Sequence, residues 1–220
     1  MTVWDELKLV LGRLRESDPQ ALQGWPNPDA STDPLPPFVI RLEPWAAAIA
    51  AELHQRFGES VDLTVGYLGY PAASGRQTPP PGVDQEIDPA GIRVYLERPI
   101  SVPSGHWTRT SLRLENLTGE DLEVITNGQL TALVADAAGA AIVGGFSGAQ
   151  ALPRVTYEVR AGDSSRIPLL VGTASLVAAI GYAVPPGPWA VRVPIQLGDG
   201  RRLVTPPLPI TVTAQGTTAR

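Results

Sequence analysis

The chain contains no cysteine, so it can form neither a disulfide framework nor a thiolate metal site. It has two histidines, His54 and His106, and a zinc site would therefore take half of its ligands from carboxylates. Acidic residues outnumber basic ones, for a net charge of −5. Binding to a phosphate backbone needs Lys and Arg gathered on one face. We expect no metal, no cofactor and no nucleic-acid partner.

Long apolar runs are also missing. No stretch approaches the roughly 18 consecutive apolar residues that indicate a membrane-spanning helix. Near the start, Asp5, Glu6 and Lys8 interrupt the segment that a secretory signal would need to keep apolar. The sequence therefore predicts a soluble, cytoplasmic protein that does not bind a membrane.

Glycine and proline are abundant in a chain of ordinary apolar content. The 220 residues include 22 Gly and 23 Pro, and 43% of them are apolar. Such a length suits one large domain or two small ones, and the many turn-forming residues favour short strands over a helical bundle. The predicted fold is mostly β, with an α+β N-terminal part.

Two amphipathic helices are predicted before residue 60. In the first, apolar residues recur at spacings of three, four and three, at Trp4, Leu7, Leu11 and Leu14. This stripe packs either into the domain core or against a partner, in which case Trp4, Leu7 and Leu11 are partner-contact residues. The second helix lies between Pro44, which suits a first turn, and Gly58, which suits the position after the last one.

The chain around these helices reads as extended. Six prolines make 18–38 a connector in which we expect neither a regular helix nor a central strand. After Gly58, apolar residues alternate from Val61 to Tyr67, which predicts a strand, and 92–96 is its expected partner strand. Residues 1–100 are thus expected to form a small two-helix, two-strand layer that packs on the rest of the chain.

Residues 101–214 are predicted to form an Ig-like antiparallel β-sandwich of seven or eight strands. Short alternating segments are separated by turn residues at roughly regular spacing. Asn127-Gly128 predicts a hairpin, because both residues tolerate positive φ. Pro168 and Pro194 lack an N–H, so their strands are expected at sheet edges or bulges. Residues 215–220 are expected to be a flexible tail.

The turns of this segment follow one another in a characteristic order. They are Asn116-Leu117-Thr118, Asn127-Gly128-Gln129, Asp136-Ala137-Ala138-Gly139, Ala161-Gly162-Asp163 and Pro186-Gly187-Pro188-Trp189. The order is similar to that in bacterial intracellular proteinase inhibitor domains and related Ig-like accessory modules, over about half of the chain. This resemblance implies an Ig-like sandwich and, as one candidate activity, inhibition of a protease.

No catalytic motif is recognisable in the sequence. A G-x-S-x-G nucleophile elbow does not occur, and the nearest segment, Gly145-Phe146-Ser147-Gly148, lacks its spacing. No glycine-rich loop leads into a helix as nucleotide binding requires. Carboxylates alternate with apolar residues, as on the wet side of a strand pair, at Glu115, Glu120, Asp121 and Glu123. We expect a protein that is not an enzyme and has no catalytic residues.

Three functions are open on this basis. The first is a non-catalytic protein-binding or assembly module that contacts another protein or itself, with further partner-contact candidates at Pro79, Pro80, Pro81, Asp84 and Glu86. The second is the protease inhibitor that the resemblance implies. The third is a small-ligand binder or enzyme whose pocket lies between the N-terminal layer and the sandwich, lined by Tyr67, Tyr70, His106 and Trp107.

Overall fold

The computed structural model describes residues 2–24, 37–71, 91–148 and 153–214. The helices are α1 (Val3–Ser17) and α2 (Ala47–Phe57). The N-terminal strands are β1 (Leu22–Gly24), β2 (Phe38–Leu42), β3 (Val61–Val65) and β4 (Leu68–Gly69). The later strands are β5 (Ile92–Leu96), β6 (Ile100–Pro103), β7 (Trp107–Asn116), β8 (Leu122–Thr126), β9 (Leu130–Ala135), β10 (Ile142–Gly145), β11 (Val155–Val159), β12 (Ser164–Gly172), β13 (Ala174–Ser175), β14 (Gly187–Arg192), β15 (Pro194–Leu197), β16 (Arg202–Val204) and β17 (Leu208–Thr213). The predicted β-rich fold with an α+β N-terminal part is confirmed.

Some predictions fall on parts of the chain that the structure does not describe. The partner-contact candidates Pro79, Pro80, Pro81, Asp84 and Glu86 lie outside the described residues, as does the expected tail, 215–220.

Helix α1 begins at a capping box that joins Thr2 to Asp5. The Thr2 hydroxyl accepts a hydrogen bond from the Asp5 N–H at 3.1 Å, and the Asp5 carboxylate accepts one from the Thr2 N–H at 2.8 Å. Two backbone donors that have no partner inside the helix are thereby satisfied. The pattern Thr-x-x-Asp before an apolar stripe fixes where the helix starts.

The apolar stripe of α1 belongs to the core of the N-terminal layer. Trp4, Leu7 and Leu11 are at most 4% exposed, and the indole of Trp4 stacks on Phe38 with ring centroids 5.1 Å apart. The assignment of these three residues as partner contacts is therefore wrong. Burying such a stripe inside the chain removes its apolar surface from water without a second protein.

Four strands, not two, make up the N-terminal sheet, in the order β1-β2-β3-β4. Strands β2 and β3 are parallel, with Phe38 opposite Val61, and α2 supplies the crossover that parallel strands require. Strand β2 begins directly after the last proline of the connector, and Phe38, Ile40 and Leu42 alternate inward. The predicted connector 18–38 therefore overlaps this strand by one residue and contains the short edge strand β1, while its residues 25–36 lie outside the described ones.

Strand β5 does not pair with β3 as predicted. It pairs antiparallel with β7, with Ile92 opposite Asn116 and Leu96 opposite Leu112, and so belongs to the sandwich. The alternation of 92–96 correctly predicted a strand with one buried face. The alternation does not specify which strand lies next to it. Hydrogen bonds between strands are made by backbone groups, which are the same whatever the side chains are.

Two sheets form the sandwich-like part of the fold. The larger has the order β5-β7-β12-β9-β14-β17-β6, with β10 and β13 attached beside β9, and the smaller has the order β11-β8-β15-β16. Thirteen strands are described here rather than seven or eight, because two predicted strands break where they pass between sheets and because β5, β6 and β13 were not predicted as sandwich strands. Val193 divides β14 from β15, and the segment 205–207 divides β16 from β17.

The hairpin predicted at Asn127-Gly128 is wrong. Strand β8 pairs with β11 and β15, whereas β9 pairs with β10, β12 and β14, so the two strands do not pair with each other. Gly128 does have a positive φ of 86°. The turn uses that conformation to carry the chain from the smaller sheet to the larger one.

The two proline-containing strands are both internal, which corrects the expected edges. Strand β12 lies between β7 and β9, with Pro168 opposite Ser111 and just before the stretch Leu169–Val171 that pairs with β9. Strand β15 lies between β8 and β16, with Pro194 opposite Val204 and before the residues that pair with β8. Each proline therefore has no partner in its second neighbouring strand, where its missing N–H is tolerated.

Apolar side chains form two separate cores. One fills the sandwich and the other lies between α1, α2 and the N-terminal sheet. Within the described ranges, no helix is long and apolar enough to cross a membrane.

Candidate functional site

The N-terminal layer contacts the sandwich along a seam centred on the segment 145–148. The Gln23 side-chain amide donates to the Ser147 hydroxyl at 2.8 Å, and the Tyr67 hydroxyl donates to the Phe146 carbonyl at 2.5 Å. Burial raises the pKa of Tyr67 to about 12, so its phenol stays protonated and remains a donor. The segment after β10 is thus held from the N-terminal side by two side chains.

A second part of the seam joins Trp45 to His106. Their rings are stacked with centroids 4.5 Å apart, and the Trp45 indole N–H donates to the Asp18 carboxylate at 3.4 Å. The His106 carbonyl accepts hydrogen bonds from Thr173, which fixes its backbone beside β13. Burial lowers the pKa of His106, and the charge of Asp18 opposes this effect.

Tyr70 lies at a third part of the seam. Its ring stacks on Tyr182 with centroids 6.0 Å apart and meets His54 edge-on at 5.6 Å. The four residues predicted to line one pocket are therefore spread along the interface. Tyr67 is the member that lines a cavity, whereas His106 and Tyr70 serve as contacts between the two layers.

The cavity beside Tyr67 is a cleft of about 540 Å³, which we name the amide cleft. Its apolar floor comes from Ile125, Leu130, Leu133 and Ile195. Tyr67 and Phe146 form its aromatic side, and three primary amides line it as well, from Asn127, Gln129 and Gln196.

The amide cleft opens where two stretches of chain of unequal length, β8 to β9 and β14 to β15, run side by side from one sheet to the other. Arg192 lies opposite Leu133 and Gln196 lies opposite Ile125, so four residues along one strand correspond to eight along the other. The extra residues include the loop 127–129, which we call the excursion. This loop is not paired with any strand, and two of its residues line the cleft. Pro194 lies in the opening; it is opposite Val204 of β16 and has no partner in β8.

Hydrogen bonds hold this excursion in one conformation. The Gly128 N–H donates to the Thr126 hydroxyl at 2.9 Å, and the Tyr157 hydroxyl donates to the Gly128 carbonyl at 2.9 Å. In the described part of the cleft wall there is no carboxylate and no histidine. Its described lining accordingly offers neutral hydrogen-bonding groups and one cationic side chain, that of Arg202.

A different surface stands out on the outer side of β5, β7 and β12, which we name the arginine face. The residues of β7 alternate strictly, so that Leu112 and Leu114 point into the core and every second side chain points outward. The outward members of the face are Arg93, Tyr95, Glu97, Trp107, Arg109, Arg113, Glu115 and Arg166.

Ion pairs order the middle of the arginine face. Glu97 contacts Arg166 at 2.5 Å and Arg113 at 3.5 Å, and the Arg166 hydrogen bond lowers the pKa of Glu97. Glu115 contacts Arg93 at 3.2 Å and accepts from the Tyr95 hydroxyl at 3.0 Å. Pairs this exposed contribute little to stability, so their main effect is on side-chain orientation.

One end of the face carries Trp107 and Arg109. The Arg109 guanidinium lies 5.4 Å from the Trp107 ring centroid, and Phe146 meets the same ring edge-on at 6.0 Å. Trp107 is 37% exposed and Tyr95 is 36% exposed. Arg109 has no acidic partner among the described residues.

The charge of the arginine face is opposite to that of the whole chain. Four arginines and two glutamates leave it with two net positive charges, on a protein whose net charge is −5. Across the four described ranges, no group of three or more His, Asp or Glu side chains is placed to hold a metal ion.

Comparisons with known proteins do not assign the chain. No protein-family model and no curated protein match it. Among solved structures, it is similar to the secreted serine protease VesC from Vibrio cholerae, with 11% identity and a TM-score of 0.30, over 56% of this chain and 23% of that one. It is similar to red sea bream transglutaminase, with 10% identity and a TM-score of 0.32, over 56% and 16%. Spo0M, a sporulation control protein from Bacillus subtilis, has 12% identity and a TM-score of 0.31, over 56% and 49%.

Similarity this low carries no argument about function. The chain spans less than a quarter of VesC and of the transglutaminase. The resemblance to intracellular proteinase inhibitors stays a prediction.

The sequence analysis predicted neither the amide cleft nor the arginine face as a site, although the arginine face has a recognisable sequence pattern. In β7, Trp107, Arg109, Arg113 and Glu115 occupy alternate positions of a single strand, a pattern visible in the sequence. The amide cleft has no such pattern, because only the register mismatch brings Gln196 beside Asn127 and Gln129.

Proposed function

We propose that this chain is a non-catalytic protein-binding module of the bacterial cytoplasm that docks an acidic partner protein on its arginine face. The observation that supports this most is the gathering of four arginines and two exposed aromatic rings on one side of a sheet in an acidic protein. We also propose that the sandwich is related to Ig-like domains.

The composition of the face is that of a protein interface. Trp, Tyr and Arg are the residues in which binding energy concentrates, and they are enriched where interfaces are most buried. Trp107 and Tyr95 supply apolar contact area with few rotatable bonds. Arg109 supplies a planar fork of donors that matches a carboxylate.

The ion pairs prepare the face for binding. Because Glu97 holds Arg113 and Arg166, and Glu115 holds Arg93, these long side chains lose less conformational freedom when a partner docks. The net positive charge also attracts an acidic surface from a distance, an effect that salt screens with a length of about 10 Å at 0.1 M.

Charge reversal on the face tests the proposal. We would compare the wild type with the double variant R109E/R166E and with R13E, which reverses an exposed arginine on α1. Each would be immobilised and exposed to lysate of the native host at 0.05 and 0.5 M salt, with quantitative mass spectrometry of what is retained. We expect at least one acidic protein that R13E retains and that both R109E/R166E and high salt release.

Two outcomes would overturn the proposal. One is that R109E/R166E and R13E retain the same proteins. The other is that nuclease treatment removes everything that the face retains, which would indicate nucleic acid. Light scattering of the purified chain separates self-association from a different partner, since a dimer that R109E/R166E dissociates would make a second copy the ligand of this face.

A further inference from the structure

We propose that the amide cleft is a second binding site, independent of the arginine face, and that it takes a neutral carbohydrate, a short oligosaccharide. Its volume of about 540 Å³ falls within the roughly 300–1,000 Å³ typical of ligand pockets. Shape, polarity and backbone geometry each contribute to the choice of ligand.

The cleft is formed before any ligand arrives. The Gly128 N–H is bound by Thr126, and the Gly128 carbonyl is bound by Tyr157, so the excursion that carries two of the amides is held at its middle. On the opposite side, the Tyr67 ring is anchored through its hydroxyl to the Phe146 carbonyl. A ligand therefore pays little ordering entropy at this site.

The polar groups of the cleft match hydroxyl groups. Each primary amide of Asn127, Gln129 and Gln196 presents a donor and an acceptor side by side in one plane. A sugar hydroxyl both donates and accepts, so adjacent hydroxyls pair with such an amide through two hydrogen bonds. Arg202 is the single formally charged side chain among the described lining residues, so the cleft carries no set of charges to select a strongly ionic ligand.

The apolar groups of the cleft match the C–H faces of a sugar ring. Leu130, Leu133 and Ile195 line the cleft together with the amides, and so does the aromatic ring of Tyr67. A pyranose has polar edges and an apolar face, so it can satisfy both kinds of surface at once. A purely apolar ligand would leave the three amides desolvated and unpaired.

An extended peptide fits the opening less well. A peptide that adds to a sheet needs a regular row of N–H and C=O groups from the strand it joins. Here the stretch that pairs with neither β9 nor β8 contains Pro194, which has no N–H to donate, and the register shifts by four residues across it. The backbone of the opening therefore favours recognition by side chains.

Titration of the full chain with defined sugars tests the inference. We would record two-dimensional amide NMR spectra during addition of maltotriose, cellotriose and triacetylchitotriose, with acetyl-trialanine-amide as the peptide comparison. We expect saturable shifts of the Asn127, Gln129 and Gln196 side-chain amide signals with at least one trisaccharide. Shifts with the peptide alone, or no saturable shift with any of these sugars up to 20 mM, would overturn the proposal.

Amide removal then locates the site. The single variant Q196A and the double variant Q129A/Q196A change groups that line the cleft, and Q55A removes an exposed amide from α2 as a matched control. We expect the affinity for the bound sugar to fall at least threefold in Q196A and at least tenfold in the double variant, and to be unchanged in Q55A. Unchanged affinity in Q196A, whose side chain is exposed and whose fold is checked by the same spectra, would contradict the assignment.

Discussion

The indole of Trp45 lies flat on the imidazole of His106, with ring centroids 4.5 Å apart and planes 6° from parallel. Trp45 belongs to the helical turn before α2, and His106 to the segment that enters β7. The stack therefore ties the N-terminal layer to the sandwich through one ring from each.

This stack predicts an acid-sensitive seam. Burial holds the pKa of His106 below its ordinary value of 6.5, so the folded chain binds the proton more weakly than the unfolded chain. The contribution of the neutral ring is fully present above pH 6.5 and is lost as the pH falls below that value. We expect the urea midpoint of the wild type to decrease between pH 7 and pH 5, and this decrease to be smaller in H106Q.

The other histidine provides the comparison. H54Q changes an exposed side chain and should retain the wild-type decrease. An equal decrease in H106Q and wild type would show that His106 does not cause it.

For Glu43 we expect the opposite dependence of folding stability on pH. It is 8% exposed, and burial raises its pKa above the ordinary 4.5 against the lowering effect of the Gln23 hydrogen bond. The folded chain therefore binds this proton more tightly, and ionisation of Glu43 reduces stability as the pH rises above 4.5. We expect E43Q to melt at a higher temperature than wild type at pH 7, with a difference that narrows toward pH 4.5.

An exposed glutamate on α2 serves as the control for this variant. E52Q should change stability by less than about 0.5 kcal/mol at either pH, as is usual for surface substitutions. A lower melting temperature for E43Q at pH 7 would mean that the carboxylate is stabilised by a positive charge, and the predicted sign would be wrong.

We expect replacement of Asn116 by alanine to lower the stability of the fold. Its fully buried amide donates to the carbonyls of Glu120 at 2.8 Å and Val159 at 2.9 Å, and its oxygen accepts from the Thr118 N–H at 3.0 Å. N116A leaves the buried Val159 carbonyl without this donor, which costs about 1–3 kcal/mol. Denaturant unfolding should show this loss, whereas L117A, at a neighbouring residue that is 56% exposed, should change little. A loss below about 0.5 kcal/mol in N116A would mean that water replaces the amide.

Two glycines predict opposite effects of the same substitution. A Cβ at Gly144 would lie 2.5 Å from the Ala174 carbonyl oxygen and 2.5 Å from Val184 Cγ2, whereas one at Gly12 would meet nothing within 4 Å. G144A should therefore destabilise the chain by about 1–3 kcal/mol through overpacking. G12A should stabilise it by up to about 1 kcal/mol, because alanine is the better residue inside a helix. Thermal melts of the two variants on the same side of wild type would contradict this reading of the local space.

Helices and strands were predicted well where apolar side chains recur at regular spacing along one face of the element. The spacing of Trp4, Leu7 and Leu11 predicted α1, and the alternation of 61–65 and 92–96 predicted β3 and β5. These patterns depend on burial, which follows directly from residue type. The choice between core and partner for α1 was not decided by its stripe, because both bury the same surface.

Strand partners were predicted poorly. Strand β5 pairs with β7 rather than β3, and β8 and β9 do not pair as a hairpin. A strand that alternates correctly is compatible with any neighbour that covers its apolar face, and a turn such as Asn127-Gly128 reverses or redirects the chain equally well.

The sequence by itself determined the β-rich composition, the two helices, the positions of most turns and the alternating face of β7. Tertiary structure alone decided that four residues around Pro194 would face eight around Gly128, and so where the amide cleft opens. It also decided that Arg93, Arg113 and Arg166 would lie side by side. The physical reason is that burial is a property of each residue, whereas pairing and register depend on backbone groups that are the same in every strand.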